Sequence, residues 1–163
     1  TIFSSGNLDE WKVQKLLAAG APIDGFGIGT SLDTSSDAPF LDCAYKLQEY
    51  AGTPRRKHSE GKATWPGRKQ VYRHFAADGT FDHDVVALEG DAQPGMPLLV
   101  PVMCAGRRID PAESLAIARV RAAAEMARLP PRLRLLEPAP TPYRVDTAPG
   151  LRALAEELDR MPH

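Results

Sequence analysis

Two short stretches near the start of the chain set glycine beside hydroxyl side chains: Ser4-Ser5-Gly6 and Gly27-Ile28-Gly29-Thr30-Ser31. A phosphoryl group is held by backbone N–H groups that converge on it. Glycine lets the backbone come close, and serine or threonine hydroxyls add donors. The bland alternative is that Gly6, Gly27 and Gly29 only make tight turns, and spacing alone leaves both readings open. A second stretch, 53–75, gathers Arg55, Arg56, Lys57, Lys62, Arg68, Lys69 and Arg73 with Glu60 as its sole acidic residue. Such a cluster can hold a pyrophosphate through charge-assisted hydrogen bonds. Basic runs are also common as solvated surface loops.

Other chemistry-bearing residues point to less. His58, His74, His83 and His163 have no partner at metal-ligand spacing and no Ser or Cys catalytic pattern around them, so each is expected at a surface or sheet edge. Asp33, Asp37 and Asp42 follow the second glycine loop and could aid a magnesium–pyrophosphate complex. Aspartate is equally a usual loop and cap residue, and no role follows for them. Cys43 and Cys104 form no Cys-x-x-Cys pair, so neither zinc nor a disulfide scaffold is indicated; both are expected as buried thiols in a reducing cytoplasm.

The elements that position the glycine loops read as strand, helix, strand over residues 1–30. Ile2 and Phe3 end a strand that looks buried, and Asn7 with Glu10 resembles a helix N-cap signature. Val13, Leu16 and Leu17 share one helical face, and Gly20 stops the helix. Ile23 to Ile28 is a second strand. Both glycine loops then leave the C-terminal ends of parallel strands in one βαβ unit. Because the sequence opens inside a strand-like run without a lead-in, it is expected to be a fragment of a longer protein.

Beyond residue 40 the pattern changes. Tyr45–Tyr50 alternates like a half-exposed strand, and Val71–Phe75 with Val85–Leu88 frames an Asp78-Gly79 hairpin turn. Pro97–Met103 reads as another strand. Asp110-Pro111-Ala112-Glu113 reads as a capping box opening a helix with Leu115, Ala118, Ala122 and Met126 on one face, ended near Pro130. The proline-bearing stretch 130–146 reads as an extended crossing. A last helix from Thr147 or Pro149 puts Leu151, Leu154, Leu158 and Met161 on one stripe.

Composition bounds the function class. With 163 residues, 43% hydrophobic and 25% charged, the chain suits one ordinary folded domain and not a disordered tail. A net charge of -1 gives no general reason for nucleic-acid or membrane binding. Trp65 and Tyr72 are the sole aromatics interleaved with the basic stretch before Phe75, which argues against a nucleic-acid surface.

An ordered set of residues then resembles one family. Phe26-Gly27-Ile28-Gly29-Thr30-Ser31-Leu32, Tyr45-Lys46-Leu47 and Pro54-Arg55-x-Lys57-x-Ser59-Glu60-x-Lys62-x-Thr64-x-Pro66-Gly67-x-Lys69 together look like the nicotinate phosphoribosyltransferase signature. The match runs from about Ser5 through Arg73, with Pro97-Leu98-Leu99 and Gly106 also fitting; past about 107 only the pattern agrees.

The resemblance implies the C-terminal portion of an enzyme of NAD salvage that joins nicotinate to 5-phosphoribosyl 1-pyrophosphate with coupled ATP hydrolysis. It implies Mg2+ and a cytoplasmic homodimer. The implied fold is α/β: a terminal βαβ part of an irregular (β/α) barrel in residues 1–40, and a mixed β-rich and helical C-terminal portion of a second domain in 41–163.

By the same resemblance Gly27, Gly29 and Thr30 would contact the 5-phosphate, Ser5 and Gly6 would line the neighbouring loop, and Lys57, Lys62 and Lys69 would meet pyrophosphate or ATP phosphates. The family's phosphorylated histidine would lie upstream, outside this chain, so the fragment alone would be inactive. A quinolinate or nicotinamide phosphoribosyltransferase, and a non-catalytic phosphate-binding module, are the competing readings.

Overall fold

Residues 1–35, 38–40, 44–59, 61 and 63–161 are described by the computed structural model, which divides into two compact units, Thr1–Tyr45 and Lys46–His163. In the first, β1 (Phe3–Ser5), α1 (Glu10–Ala18) and β2 (Gly25–Gly27) form the expected βαβ order, with the strands parallel and Ser5 paired to Gly27. Each strand is followed by its glycine loop, so both loops leave the same end of the sheet.

Two local expectations change in this unit. The N-cap of α1 is Asp9, not Asn7: Asp9 has the extended backbone a cap needs, and its side chain accepts from the Lys12 amide at 2.8 Å. Asn7 instead sits at φ 51, turning the chain two residues earlier. Ile2 and Phe3 are exposed where a buried strand was expected, because a two-stranded sheet leaves their outer face uncovered. Gly20, at φ 67, does close α1 as expected. The short α2 (Thr30–Asp33) follows β2.

The second unit begins with β3 (Glu49–Tyr50) and β4 (Thr53–Pro54), joined by Ala51 and Gly52 at positive φ, as a tight hairpin requires. The strand expected from Tyr45 shortens to this pair; Tyr45 itself is 99% exposed. Next, β5 (Lys69–Phe75) and β6 (Phe81–Leu88) form the expected antiparallel hairpin. Its turn is fixed by Asp78, whose Oδ1 accepts from the amide and the hydroxyl of Thr80 at 2.9 and 2.7 Å.

The strand expected at Pro97–Met103 is broken into pieces. β7 (Met96–Pro97) pairs with β5, and Leu98 still donates to the Val71 carbonyl. The Gln70 side-chain amide then substitutes for a strand: it donates to the Leu99 carbonyl and accepts from the Leu99 amide, both at 2.9 Å. Pro101, lacking an N–H, cannot continue a ladder. β8 (Met103–Cys104) and β9 (Arg107–Arg108) form a separate exposed hairpin. Cys104 is exposed, against the expected buried thiol, because this hairpin has no layer over it; Cys43 lies outside the described residues.

The helix after it, α3 (Leu115–Arg128), starts from Ser114, whose hydroxyl accepts from the Ile117 amide at 3.3 Å. The expected box at Asp110 does not open the helix; Glu113 instead binds Arg121 through both carboxylate oxygens at 3.0 and 2.7 Å. After a 3-10 turn at Pro131–Leu133, the supposed crossing ends in an unforeseen strand, β10 (Arg144–Thr147), parallel to β6.

The sheet order is thus β10-β6-β5-β7. α4 (Pro149–Arg160) carries Pro149 at its first turn, as expected, and lies against β6 with Leu151 and Ala155 buried. Of the expected stripe, Leu154 and Leu158 are half-buried and Met161 is exposed at the helix end.

Candidate functional site

In the first unit the backbone creates a cavity of about 250 Å³ lined by Asn7, Leu8, Gly29, Thr30 and Ser31. Its near wall is made by the turn after β1. Gly6 at φ 107 and Asn7 at φ 51 reverse the chain, and buried Leu8 anchors it. The Lys12 ammonium donates to the Asn7 carbonyl at 2.6 Å and pairs with Asp9 Oδ2 at 3.1 Å. Hydrogen bonds from the Lys12 backbone amide, then its side chain, hold the Asp9 carboxyl below the usual carboxylate range.

The far wall is the turn after β2. Thr30 and Ser31 open a helical turn, where backbone N–H groups have no intrahelical acceptor and face outward for a ligand or water. A methyl group built on Gly29 would meet no protein atom within 4 Å, so the space beside it is open. Behind these walls, Gly27 is pressed against its neighbours: a Cβ there would lie 3.1 Å from Ser5 Cβ and 3.2 Å from the Phe3 ring. The glycine at 27 therefore lets β1 and β2 approach, while the one at 29 leaves room.

Of the residues expected from sequence, Gly29 and Thr30 line the cavity. Ser5 and Gly27 are paired behind it at the last sheet position, and Gly6 supplies the turn. Asn7 and Leu8 were missed as lining residues. Asn7 carried a signal, since asparagine after glycine is a residue that tolerates the left-handed region; Leu8 carried none.

The basic stretch of the second unit is largely engaged within that unit. Lys69 donates to the carbonyls of Trp65 and Gly67 at 2.9 and 2.5 Å, and burial pushes its ammonium pKa down against the pull of Glu49. Asp159 Oδ1 lies 3.2 Å from both Arg56 Nε and His58 Nδ1, although Arg56 Nε lacks the alignment of a hydrogen bond. Arg68 pairs with Glu89 at 3.2 Å. Lys57 is exposed, its amide bonded to the Thr64 hydroxyl at 3.3 Å, while Lys62 lies outside the described residues.

Arg73 belongs to a half-buried network around the buried Asp84. Its guanidinium forks onto Asp84 at 2.9 and 2.8 Å, and the Tyr143 hydroxyl donates to the same carboxylate at 2.9 Å. Burial alone would raise the Asp84 pKa, but the Arg73 and Tyr143 bonds outweigh it and hold the group below the usual range. Beside this network His74 and His83, register partners on β5 and β6, stack at 4.2 Å; both are half-buried, and they lie on the inner strands of the sheet and not at its edge. Among the described residues no three His, Cys, Asp or Glu side chains converge on a metal position; Asp37, Asp42 and His163 lie outside those residues.

Comparison with known proteins gives a consistent set of likenesses. The chain is 48% identical over 163 residues to nicotinate phosphoribosyltransferase pncB2 of Mycobacterium tuberculosis, covering 99% of this chain and 34% of that protein. Against the nicotinate phosphoribosyltransferase of Bos taurus the identity is 32% over 179 residues, covering 94% and 33%. The crystal structure of human nicotinic acid phosphoribosyltransferase superposes with a TM-score of 0.77 at 26% identity, covering 97% of this chain and 33% of that one. The chain therefore spans about a third of the length of these relatives. No protein-family model matches it. No helix among the described residues is long and apolar enough to cross a membrane.

Proposed function

By sequence this chain belongs to the nicotinate phosphoribosyltransferase family, and on that premise we propose that it is the C-terminal third of an enzyme of NAD salvage. The enzyme joins nicotinate to 5-phosphoribosyl 1-pyrophosphate. The pyridine nitrogen forms a bond to the anomeric carbon as the bond to pyrophosphate breaks, and ATP hydrolysis is coupled to the turnover. The carrying observation is the cavity that brings the Asn7–Leu8 turn and the Gly29–Ser31 turn together at one end of a parallel strand pair. That placement suits the 5-phosphate of the sugar.

In this reading the chain's residues bind and orient; they move no proton. Backbone amides of Thr30 and Ser31, with their hydroxyls, hold the phosphate, and Gly29 leaves room for it. A fixed phosphate fixes the ribose, so oxocarbenium character develops at a carbon already aimed at the base. Lys57, Lys62 and Lys69 meet pyrophosphate or ATP phosphates in the assembled enzyme. For Lys69 this requires release from the two carbonyls it now binds. Mg2+ would shield the leaving pyrophosphate. Because no described carboxylates converge to hold a cation, no step is assigned to it in this chain.

Residues 1–40 would close an irregular (β/α) barrel and 41–163 would build the second domain of a cytoplasmic homodimer. The phosphorylated histidine would come from the rest of the protein, leaving the 163-residue chain inactive alone. The test is steady-state kinetics of the full-length protein carrying Gly29→Val or Thr30→Ala. Loss of one or two phosphate hydrogen bonds should raise KM for phosphoribosyl pyrophosphate about 10- to 100-fold, with kcat changing less. Unchanged KM in both variants would remove the phosphate from this cavity.

A further inference from the structure

We propose that Lys12 is a positioning residue for the phosphate cavity, acting through Asn7 and without touching the phosphate; this rests on the phosphate reading given above. A lysine next to an anion site invites the simpler view that it is a ligand, but its geometry argues otherwise. Lys12 does not line the cavity. Its ammonium is already engaged by the Asn7 carbonyl at 2.6 Å and by Asp9 Oδ2 at 3.1 Å. Those two oxygens flank Leu8, the buried residue of the same turn, so one ammonium clamps the turn on both sides of its anchor.

The clamp has something to hold. Asn7 is a non-glycine residue at φ 51, directly after Gly6 at φ 107; asparagine tolerates the left-handed region better than other residues with a Cβ, yet still populates it less than the extended and right-handed regions. Without a partner for its carbonyl, the peptide after Asn7 is free to rotate toward more populated backbone angles. That rotation would displace Asn7 and Leu8, two of the five lining residues, from the wall facing Gly29, Thr30 and Ser31. Asp9 adds a second constraint, since its other oxygen caps α1 through the Lys12 amide at 2.8 Å. Turn, cap and clamp are thereby tied to one side chain.

The experiment uses the full-length protein with Lys12→Met, Lys12→Arg, Gly29→Val and Thr30→Ala, read by KM for phosphoribosyl pyrophosphate at low and high salt, by kcat and by thermal melting. Lys12→Met is expected to raise KM about 5- to 10-fold with kcat and Tm nearly unchanged, and Lys12→Arg to restore most of the loss. The KM ratio of Lys12→Met to the parent should fall only in part at high salt, because the hydrogen bond to the neutral Asn7 carbonyl persists when the Asp9 pair is screened. A ratio that falls all the way to one at high salt would reveal a direct charge contact with the phosphate and overturn the positioning role. So would an unchanged KM in Lys12→Met while Gly29→Val and Thr30→Ala raise theirs. If those two cavity variants are also silent, the phosphate reading itself has failed.

Discussion

Asp84 is the residue on which the second unit most depends for its polar core. It sits 7% exposed between Arg73 and Tyr143, one carboxylate satisfying a guanidinium fork and a phenol. Replacing it with asparagine would leave the half-buried Arg73 charge without its partner, and we expect a loss of about 2 kcal/mol in urea denaturation. The pH dependence has a definite sign. A carboxyl whose pKa is lowered by folding contributes stability that is present above its unfolded pKa and is lost as pH falls through the folded value. The parent should therefore show a steep acid limb, and Asp84→Asn a shallower one; matching limbs would show that another group controls acid unfolding. None of this was legible in the sequence. Arg73 read as one of seven cations in a basic stretch, and nothing local joins it to Tyr143, which stands 59 residues beyond Asp84. The glycine loops were legible because glycine beside hydroxyls is a local signal, whereas the Lys12 clamp depends on backbone angles at Asn7 that composition does not encode.

At the level of elements, local patterns succeeded where one segment decides its own structure. The Asp78-Gly79 turn dictates a hairpin, and the leucine stripe with proline at its first turn dictates α4. Leu151 is fully buried on that stripe, so Leu151→Ala should cost about 3 kcal/mol in thermal or chemical unfolding. A cost below about 1 kcal/mol would mean that α4 does not stabilise the sheet. Patterns failed where a neighbour supplied the missing partner. Pro97–Met103 read as one strand, but Gln70 bonds Leu99 through its side chain and Pro101 ends the ladder. β10 was hidden among prolines because its pairing partner, β6, lies more than fifty residues earlier. Gly95 marks where β7 meets β5: at φ 106, a Cβ there would lie 2.7 Å from the Arg73 carbonyl. Gly95→Ala should destabilise the sheet by about 2 kcal/mol, checked by the urea midpoint, and a neutral substitution would show that β7 is free to shift away.

Across the whole molecule, stability is expected to be unevenly spread, and α3 is where the difference should be largest. The helix has fourteen residues and none is buried; Leu115 is 89% exposed, and Ile117, Val120 and Met126 are exposed as well. A helix of that length gains little from its own hydrogen bonds in water and normally relies on packing. Among the described residues, the contacts that tie it to the β5–β6 hairpin are at its C-terminal end. Arg128 lies 4.3 Å over Phe75 and 5.5 Å over Phe81, and donates to the Gly79 carbonyl at 3.3 Å. Hydrogen exchange on the 163-residue chain should therefore find slow amides in β5, β6 and α4, fast exchange over Leu115–Arg121, and intermediate rates toward Arg128. Since the relatives are about three times as long, the same measurement on the full-length protein should slow the first half of α3 by at least about tenfold as the remaining chain covers its apolar side chains. Equal exchange in the two proteins would mean that those side chains stay in water in the longer protein as well, and that the rest of the chain does not cover α3.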